Sequence, residues 1–191
     1  AGAWQREFGE RAPFVSVNLA VRQVQQPGIV DVVSRVLAES ELPPEQLQLE
    51  LTESAIMESS GEPLRALRAI AALGPVIAID DFGTGYSNLA YLQHLPVHVL
   101  KMAGSFVEGL ADEADAGGEP TGKPVDTAIV SGLVSLAHAL DLTVTAEGIE
   151  TTAQARRLYE IGCECGQGWL YARPGPPEAI ERTLREQGAA G

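Results

Sequence analysis

Val76-Ile77-Ala78-Ile79-Asp80-Asp81-Phe82-Gly83-Thr84-Gly85-Tyr86-Ser87 is the stretch on which the fold turns. Val76–Asp80 is an apolar run behind Gly74-Pro75, the pattern of a β-strand, and Asp81 opens the loop that follows. Upstream, a helix around Pro63–Leu73 ends at Gly74, which suits a C′ glycine. Leu47–Leu51 is an earlier strand. Before it, a helix opens near Pro27, with Ile29, Val32, Val33, Val36 and Leu37 at helical spacing. Phe14–Leu19 is the first strand. Downstream, Ser87–Gln93 is expected to be a short helix and Val97–Met102 a strand. Leu110–Pro124 is a loop insert rich in Gly, Pro, Asp and Glu. A helix over about Asp126–Leu140 offers Ile129, Val130, Leu133, Leu136, Ala137 and Leu140 for burial. Thr143–Ala146 is the next strand, and Thr151 with Gln154 makes a capping box for a helix to Ile161. Cys163–Gln167 closes the strand series and Pro176–Gln187 is a terminal helix. Short strands alternating with amphipathic helices favour an α/β fold with parallel strands. No repeat or second domain is visible, so residues 1–191 are expected to form one domain.

Strand side chains alternate with period two, so each strand has two faces to compare. Phe14, Ser16 and Asn18 share a face opposite Val15, Val17 and Leu19. Gln48 and Glu50 oppose Leu47, Leu49 and Leu51. Val76 and Ala78 lead to Asp80, Val97 and Val99 to Lys101, Thr143 and Thr145 to Glu147, and Cys163 and Cys165 to Gln167. Polar groups gathered at the carboxyl ends of parallel strands mark the active-site mouth of a (β/α) barrel. A lone acidic residue is usually a solvated surface group, but that reading would have to hold at several matching strand ends.

Asn18, Glu50, Asp80, Asp81 and Glu147 would place four carboxylates and an amide at one mouth. Two like charges about 4 Å apart repel by roughly 4 kcal/mol at an effective dielectric of 20. Such pairs stay ionised only if cations neutralise them. Oxygen donors favour hard divalent ions such as Mg²⁺, Mn²⁺ or Ca²⁺ over zinc. The Asp80-Asp81 pair suits two ions sharing a carboxylate, a device known from phosphodiester hydrolysis.

Composition narrows the alternatives. At 191 residues with 45% apolar residues, the chain can bury a substantial core. A formal charge of −13 argues against polymeric nucleic acid as a partner, which needs a basic stripe, but permits a small phosphodiester bridged by cations. No apolar run is long enough for a membrane span and no secretory signal opens the chain. Two cysteines, Cys163 and Cys165, do not make a disulfide scaffold, so a reducing cytoplasm is the expected location. Both are expected to pack inside the barrel as small apolar side chains. His94, His98 and His138 lack ligand spacing and suit structural roles. Gly83-Thr84-Gly85 alone signals a tight turn more often than a phosphate loop. Trp4 and Trp169 suit packing, with Trp169 near enough to Gln167 to border a pocket.

Together these strings resemble the EAL phosphodiesterase family. The resemblance lies in Ser16-Val17-Asn18-Leu19, Glu50-Leu51-Thr52-Glu53-Ser54 and Asp80 through Ser87. It continues in Leu95-Pro96, Leu100-Lys101, Ser105-Phe106-Val107, Ala146-Glu147-Gly148-Ile149-Glu150, and Gly162-Cys163 through Gln167-Gly168. It spans about Phe14 to Pro174 and implies a TIM-like (β/α) barrel, here incomplete at its N-terminus. It implies a metal-dependent hydrolase that opens cyclic di-GMP to linear pGpG in bacterial second-messenger signalling. By this resemblance Asn18, Glu50 and Asp80 would bind one Mg²⁺ or Mn²⁺ ion, and Asp80, Asp81 and Glu147 a second, with Ca²⁺ inhibitory. Lys101 would orient the attacking water or phosphate, and Asp81 and Glu147 would join it in catalysis. Gln167 and Glu150 would support substrate and metal. Glu53 would anchor a regulatory loop of Phe82, Gly83, Thr84, Gly85, Tyr86 and Ser87. A homodimer, and upstream sensory or GGDEF domains in a parent protein, are also implied.

Two departures from the family pattern qualify this. The Glu-Ala-Leu strand, whose Glu is a metal ligand in the family, has no counterpart here, so the chain itself is expected to be weakly active or inactive. Where the family has Leu-Lys-Ile-Asp, this chain has Leu100-Lys101-Met102-Ala103, which removes an acidic group beside Lys101. The Leu110–Pro124 insert is also longer than the family's usual connection. A degenerate cyclic di-GMP receptor or a protein-interaction domain is the alternative to an enzyme.

Overall fold

The computed structural model of the chain describes residues 1–57, 61–83, 92–110 and 124–189. Its elements run α1 (Gly2–Phe8), β1 (Val15–Asn18), α2 (Val21–Val24), α3 (Ile29–Ser40), β2 (Leu47–Thr52), α4 (Glu53–Met57), α5 (Glu62–Ala72) and β3 (Val76–Phe82). They continue with β4 (Val99–Met102), α6 (Gly104–Glu108), α7 (Pro124–Ala139), β5 (Thr143–Ala146), α8 (Thr152–Ile161), β6 (Cys165–Gly166) and α9 (Pro177–Ala189). The six strands form one sheet in chain order, every neighbouring pair parallel. Parallel neighbours need a crossover, and helices supply it between the other strand pairs, while most of the β3–β4 connection lies outside the described residues. The sheet curls into an incomplete (β/α) barrel with β1 and β6 at its edges.

Strand alternation divides the sheet into two chemistries. Leu49, Leu51, Ile77, Ile79, Leu100, Met102, Val144 and Ala146 are buried on one face. They share a cluster with Val33 and Leu37 of α3, Leu67 and Ile70 of α5, and Val130, Val134 and Ala137 of α7. Each Leu, Ile or Val side chain fully buried there contributes about 1.5–3 kcal/mol. The opposite face is aligned by register: Ser16 lies beside Gln48, Asn18 beside Glu50, Glu50 beside Ala78, and Lys101 beside Thr145.

The strand order and type match expectation, while several boundaries and burials differ. The first strand is Val15–Asn18, the fourth starts at Val99, and the last is only Cys165–Gly166. Just before the fourth, the His98 ring Nδ1 accepts from Ile77 N at 3.1 Å, while its backbone bonds Ile77 O and Thr143 N on either side. Val32, Val36 and Ile129 are exposed, not buried, because their helices lay only a narrow stripe on the sheet. Cys163 is buried as expected, but Cys165 is exposed, because the sheet ends at its strand. The Thr151–Gln154 capping box is present, with Gln154 N donating to Thr151 Oγ1 at 3.2 Å and Gln154 Oε1 accepting from Thr151 N at 3.0 Å. Most of the expected helix over Ser87–Gln93 and most of the 110–124 insert lie outside the described residues.

Candidate active site

Four strand ends deliver the site. Glu50 comes from β2, Asp80 from β3 and Lys101 from β4, while Glu147 directly follows β5. Lys101 is 4% exposed and its Nζ meets three carboxylates: Glu50 Oε2 at 2.7 Å, Asp80 Oδ1 at 2.8 Å and Glu147 Oε1 at 2.6 Å. Glu147 is held in place by its own N–H, which donates to Met102 O at 3.1 Å.

Asp80, Asp81 and Glu147 offer carboxylate oxygens that all lie within 4.8 Å of one another. Consecutive strand residues normally point to opposite faces, and the backbone resolves that conflict locally. Asp81 has φ +54°, and the β3–β4 register shifts between Ile79 and Phe82. A bulge of this kind re-aims side chains and recurs next to active sites. A donor set of oxygens alone, packed this closely, suits hard divalent cations.

Burial and charge pull these groups in opposite directions. Burial pushes Glu50 up, but the Lys101 ammonium and hydrogen bonds from Ser16 and Gln48 outweigh it and hold the carboxyl below its usual range. Burial pushes Glu147 up as well; Lys101 pulls it down, Asp80 and Glu50 repel its charge, and the net shift is upward. For Lys101, burial favours the neutral amine, yet the three carboxylates prevail and raise it above its usual value. Among these carboxylates the lysine is held as a cation and a hydrogen-bond donor.

The other expected site residues fall in three positions. Asn18 ends β1 beside Glu50, and Leu19 N donates to Glu50 O at 2.7 Å, which ties this corner together. Its side chain is exposed at the mouth. Gln167 follows β6; its N–H donates to Ala146 O at 2.8 Å and its carbonyl accepts from Ile149 N at 3.1 Å. Glu150 is exposed, with its N–H bonded to Gln154 Oε1 at 2.9 Å. Both border a groove of about 700 Å³ that begins at Glu147 and is lined further by Trp169, Tyr171 and Arg173. The Arg173 guanidinium lies 4.6 Å above the centre of the Trp169 ring. The groove brings Gln167 within one continuous surface of Glu147 because Gly168 permits it. A Cβ there would stand 2.1 Å from Ile149 O.

Glu53 opens α4 and is buried. Its Oε2 accepts from Gly83 N at 2.8 Å, at the start of the loop beyond Phe82. Gly83 has φ +94°, and a Cβ on it would lie 2.5 Å from Phe106 of α6. Phe82 is buried, while Thr84, Gly85, Tyr86 and Ser87 lie outside the described residues. Two residues that sequence reasoning placed on the right face but gave no role are Ser16 and Gln48, both bonded to Glu50. Their alternation with Asn18 and Glu50 was the available signal. Tyr171 and Arg173 were missed, because they sit on a coil after β6, where no periodicity applies.

The chain matches the family described as EAL domain over residues 1–174. An uncharacterized protein of Mycobacterium tuberculosis is 40% identical over 174 residues, 91% of this chain and 55% of that protein, so the chain spans about half its length. MucR of Pseudomonas aeruginosa, a bifunctional diguanylate cyclase/cyclic di-GMP phosphodiesterase, is 42% identical over 166 residues, 87% of this chain and 23% of MucR. Among solved structures, the PaMucR phosphodiesterase in complex with c-di-GMP has a TM-score of 0.82 at 39% identity, covering 94% of this chain and 68% of that one. A match over this much of the chain, joined to the same barrel architecture, makes the chain a member of the EAL domain family.

Proposed function

We propose that this chain is a cyclic di-GMP phosphodiesterase domain, itself weakly active at most, that uses two divalent cations, Mg²⁺ or Mn²⁺, to open its substrate to linear pGpG. The observation that carries this reading is Lys101 Nζ within 2.6–2.8 Å of Glu50, Asp80 and Glu147, with Asp81 beside the latter two. Four carboxylates facing one ammonium leave the site strongly negative, which favours cations and, through them, an anionic phosphodiester. The names of MucR and of the PaMucR complex support that ligand class.

Asn18, Glu50 and Asp80 would hold one ion and Asp80, Asp81 and Glu147 the other. Bound there, the ions would neutralise the carboxylates and lower the pKa of an attacking water. Lys101, kept protonated by its neighbours, would turn one of the three N–H groups now held by Glu50, Asp80 and Glu147 to the phosphate or the water and so fix the approach. The water oxygen bonds to phosphorus as the P–O3′ bond opens; one of the water's two protons ends on the leaving 3′ oxygen and the other on the new terminal phosphate or in solvent. Gln167 and Glu150 contact the substrate from the groove, and the exposed Trp169 ring offers a face on which a base can stack. Glu53, through Gly83 N, ties the Phe82–Ser87 loop to α4 and would relay association of two copies to the site. A homodimer, and sensory or GGDEF domains elsewhere in the same protein, belong to this proposal.

One observation favours a second reading, a receptor that binds cyclic di-GMP without cutting it. Ala103 is buried two residues beyond Lys101 and brings no charge to the site. It is also the N-cap of α6 with no side-chain cap bond, a position where Asp is well accommodated. The test compares wild type with Ala103→Asp for cyclic di-GMP binding and for Mn²⁺-dependent turnover. Turnover in both supports the phosphodiesterase; binding in both, with turnover only in the variant, supports the receptor.

A further inference from the structure

We infer that Ser16 and Gln48 are positioning residues that make Glu50 offer a single oxygen to the site. The inference rests on the reading of Glu50 as a cation ligand. Ser16 and Gln48 are register partners on β1 and β2, one pair before Asn18 and Glu50 and on the same face. Gln48 is 7% exposed and Glu50 8%, so little water competes for the bond between them, while Ser16, on the edge strand, is exposed.

The direction of each bond follows from the donor inventory. A carboxylate only accepts, so the Gln48 amide must turn its Nε2 toward Glu50 Oε1, 3.2 Å away. The second Nε2 hydrogen points to Ser16 Oγ at 3.1 Å. Because Ser16 Oγ accepts there, its own hydrogen is free to go to Glu50 Oε1, 2.5 Å away. Oε1 thus takes two donors and is turned away from the site. Oε2 is left facing Lys101 at 2.7 Å, on the side of Asp80 and Glu147.

A glutamate reaching from a strand end has a soft terminal torsion, so without these donors the carboxylate can rotate or present both oxygens. Ser16 and Gln48 remove that freedom and commit Glu50 to one-oxygen ligation. Partners of this kind typically change metal affinity by about 10–100-fold when removed.

The probe is Mn²⁺ alone, titrated into the full chain by calorimetry, with thermal melts in EDTA alongside. Gln48→Met and Ser16→Ala should each weaken Mn²⁺ binding by about 10–100-fold, with the metal-free melt unchanged. Ser16→Thr, which keeps the hydroxyl, should restore wild-type affinity, and Glu50→Gln should weaken binding at least as far as either variant. Wild-type affinity in Gln48→Met and Ser16→Ala, with binding lost in Glu50→Gln, overturns the positioning role and leaves the metal site standing. Wild-type affinity in Glu50→Gln instead removes the metal reading, and this inference with it. Weakened binding that follows a weakened metal-free fold, with Ser16→Thr no better than Ser16→Ala, also overturns it.

Discussion

Lys101 is the residue on which the electrostatics of the mouth depend. It is nearly inaccessible and bonded to three carboxylates, two of them from neighbouring strands on either side. Removing one partner from a buried ionic cluster costs about 3–5 kcal/mol, because the remaining charges lose their compensation. Lys101→Met should therefore lower stability by an amount in that range when melted in EDTA, and added Mn²⁺ should recover part of it. The two cysteines give a second test. Burial, ahead of any neighbouring group, pushes the Cys163 thiol up from the usual 9.0 to about 11. An acid whose folded pKa is raised loses its proton first in the unfolded chain. Stability should thus fall between pH 9 and about 11, and that slope should shrink in Cys163→Ala. With a disulfide-exchange reagent at pH 8, the exposed Cys165 should react quickly and Cys163 slowly.

At the scale of elements, the glycines and caps that shape the loops carry the predictions. Gly83→Ala must hold a Cβ at φ +94° and displace Phe106, so it should cost about 1–3 kcal/mol in urea unfolding. Adding Phe106→Leu should return only part, since the backbone strain remains. Thr151→Ala breaks the α8 capping box and should cost about 1 kcal/mol by the same measurement. These elements also show what sequence can and cannot reveal. Period-two alternation is rigid, so the side of β2, β3 and β4 that carries Glu50, Asp80 and Lys101 was legible from residue order alone. The relay from Gln48 through Ser16 to Glu50 was not, because it depends on which residues stand opposite each other across two strands. Helical spacing overstated burial at Val32, Val36 and Ile129, because periodicity marks an apolar stripe but not its covered width. Asp81 reaches the cluster only through a local bulge, which no strand pattern encodes.

At the scale of the whole molecule, the first and last helices meet. Trp4 Nε1 donates to Glu181 Oε1 at 3.1 Å, and Arg185 Nε donates to Glu7 Oε1 at 2.9 Å. The arginine pair is exposed, so solvent and salt screen it. Arg185→Ala should leave the denaturation midpoint unchanged, and the sheet with its helix-covered face remains the source of stability. Among the described residues, no helix is long and apolar enough to cross a membrane. The strand ends then form one open mouth, with the carboxylates and Lys101 at its centre and the Trp169–Arg173 groove leading away from it. That arrangement reduces the functional question to whether the mouth hydrolyses cyclic di-GMP with the help of cations. The direct measurement is chromatographic detection of pGpG after incubation with cyclic di-GMP in Mg²⁺, Mn²⁺ or EDTA, for wild type and Glu50→Ala. Slow but measurable product that forms with Mg²⁺ or Mn²⁺, disappears in EDTA and is lost in Glu50→Ala is the expected result. Product that persists in EDTA or in Glu50→Ala, or no product from wild type with either ion, would contradict it.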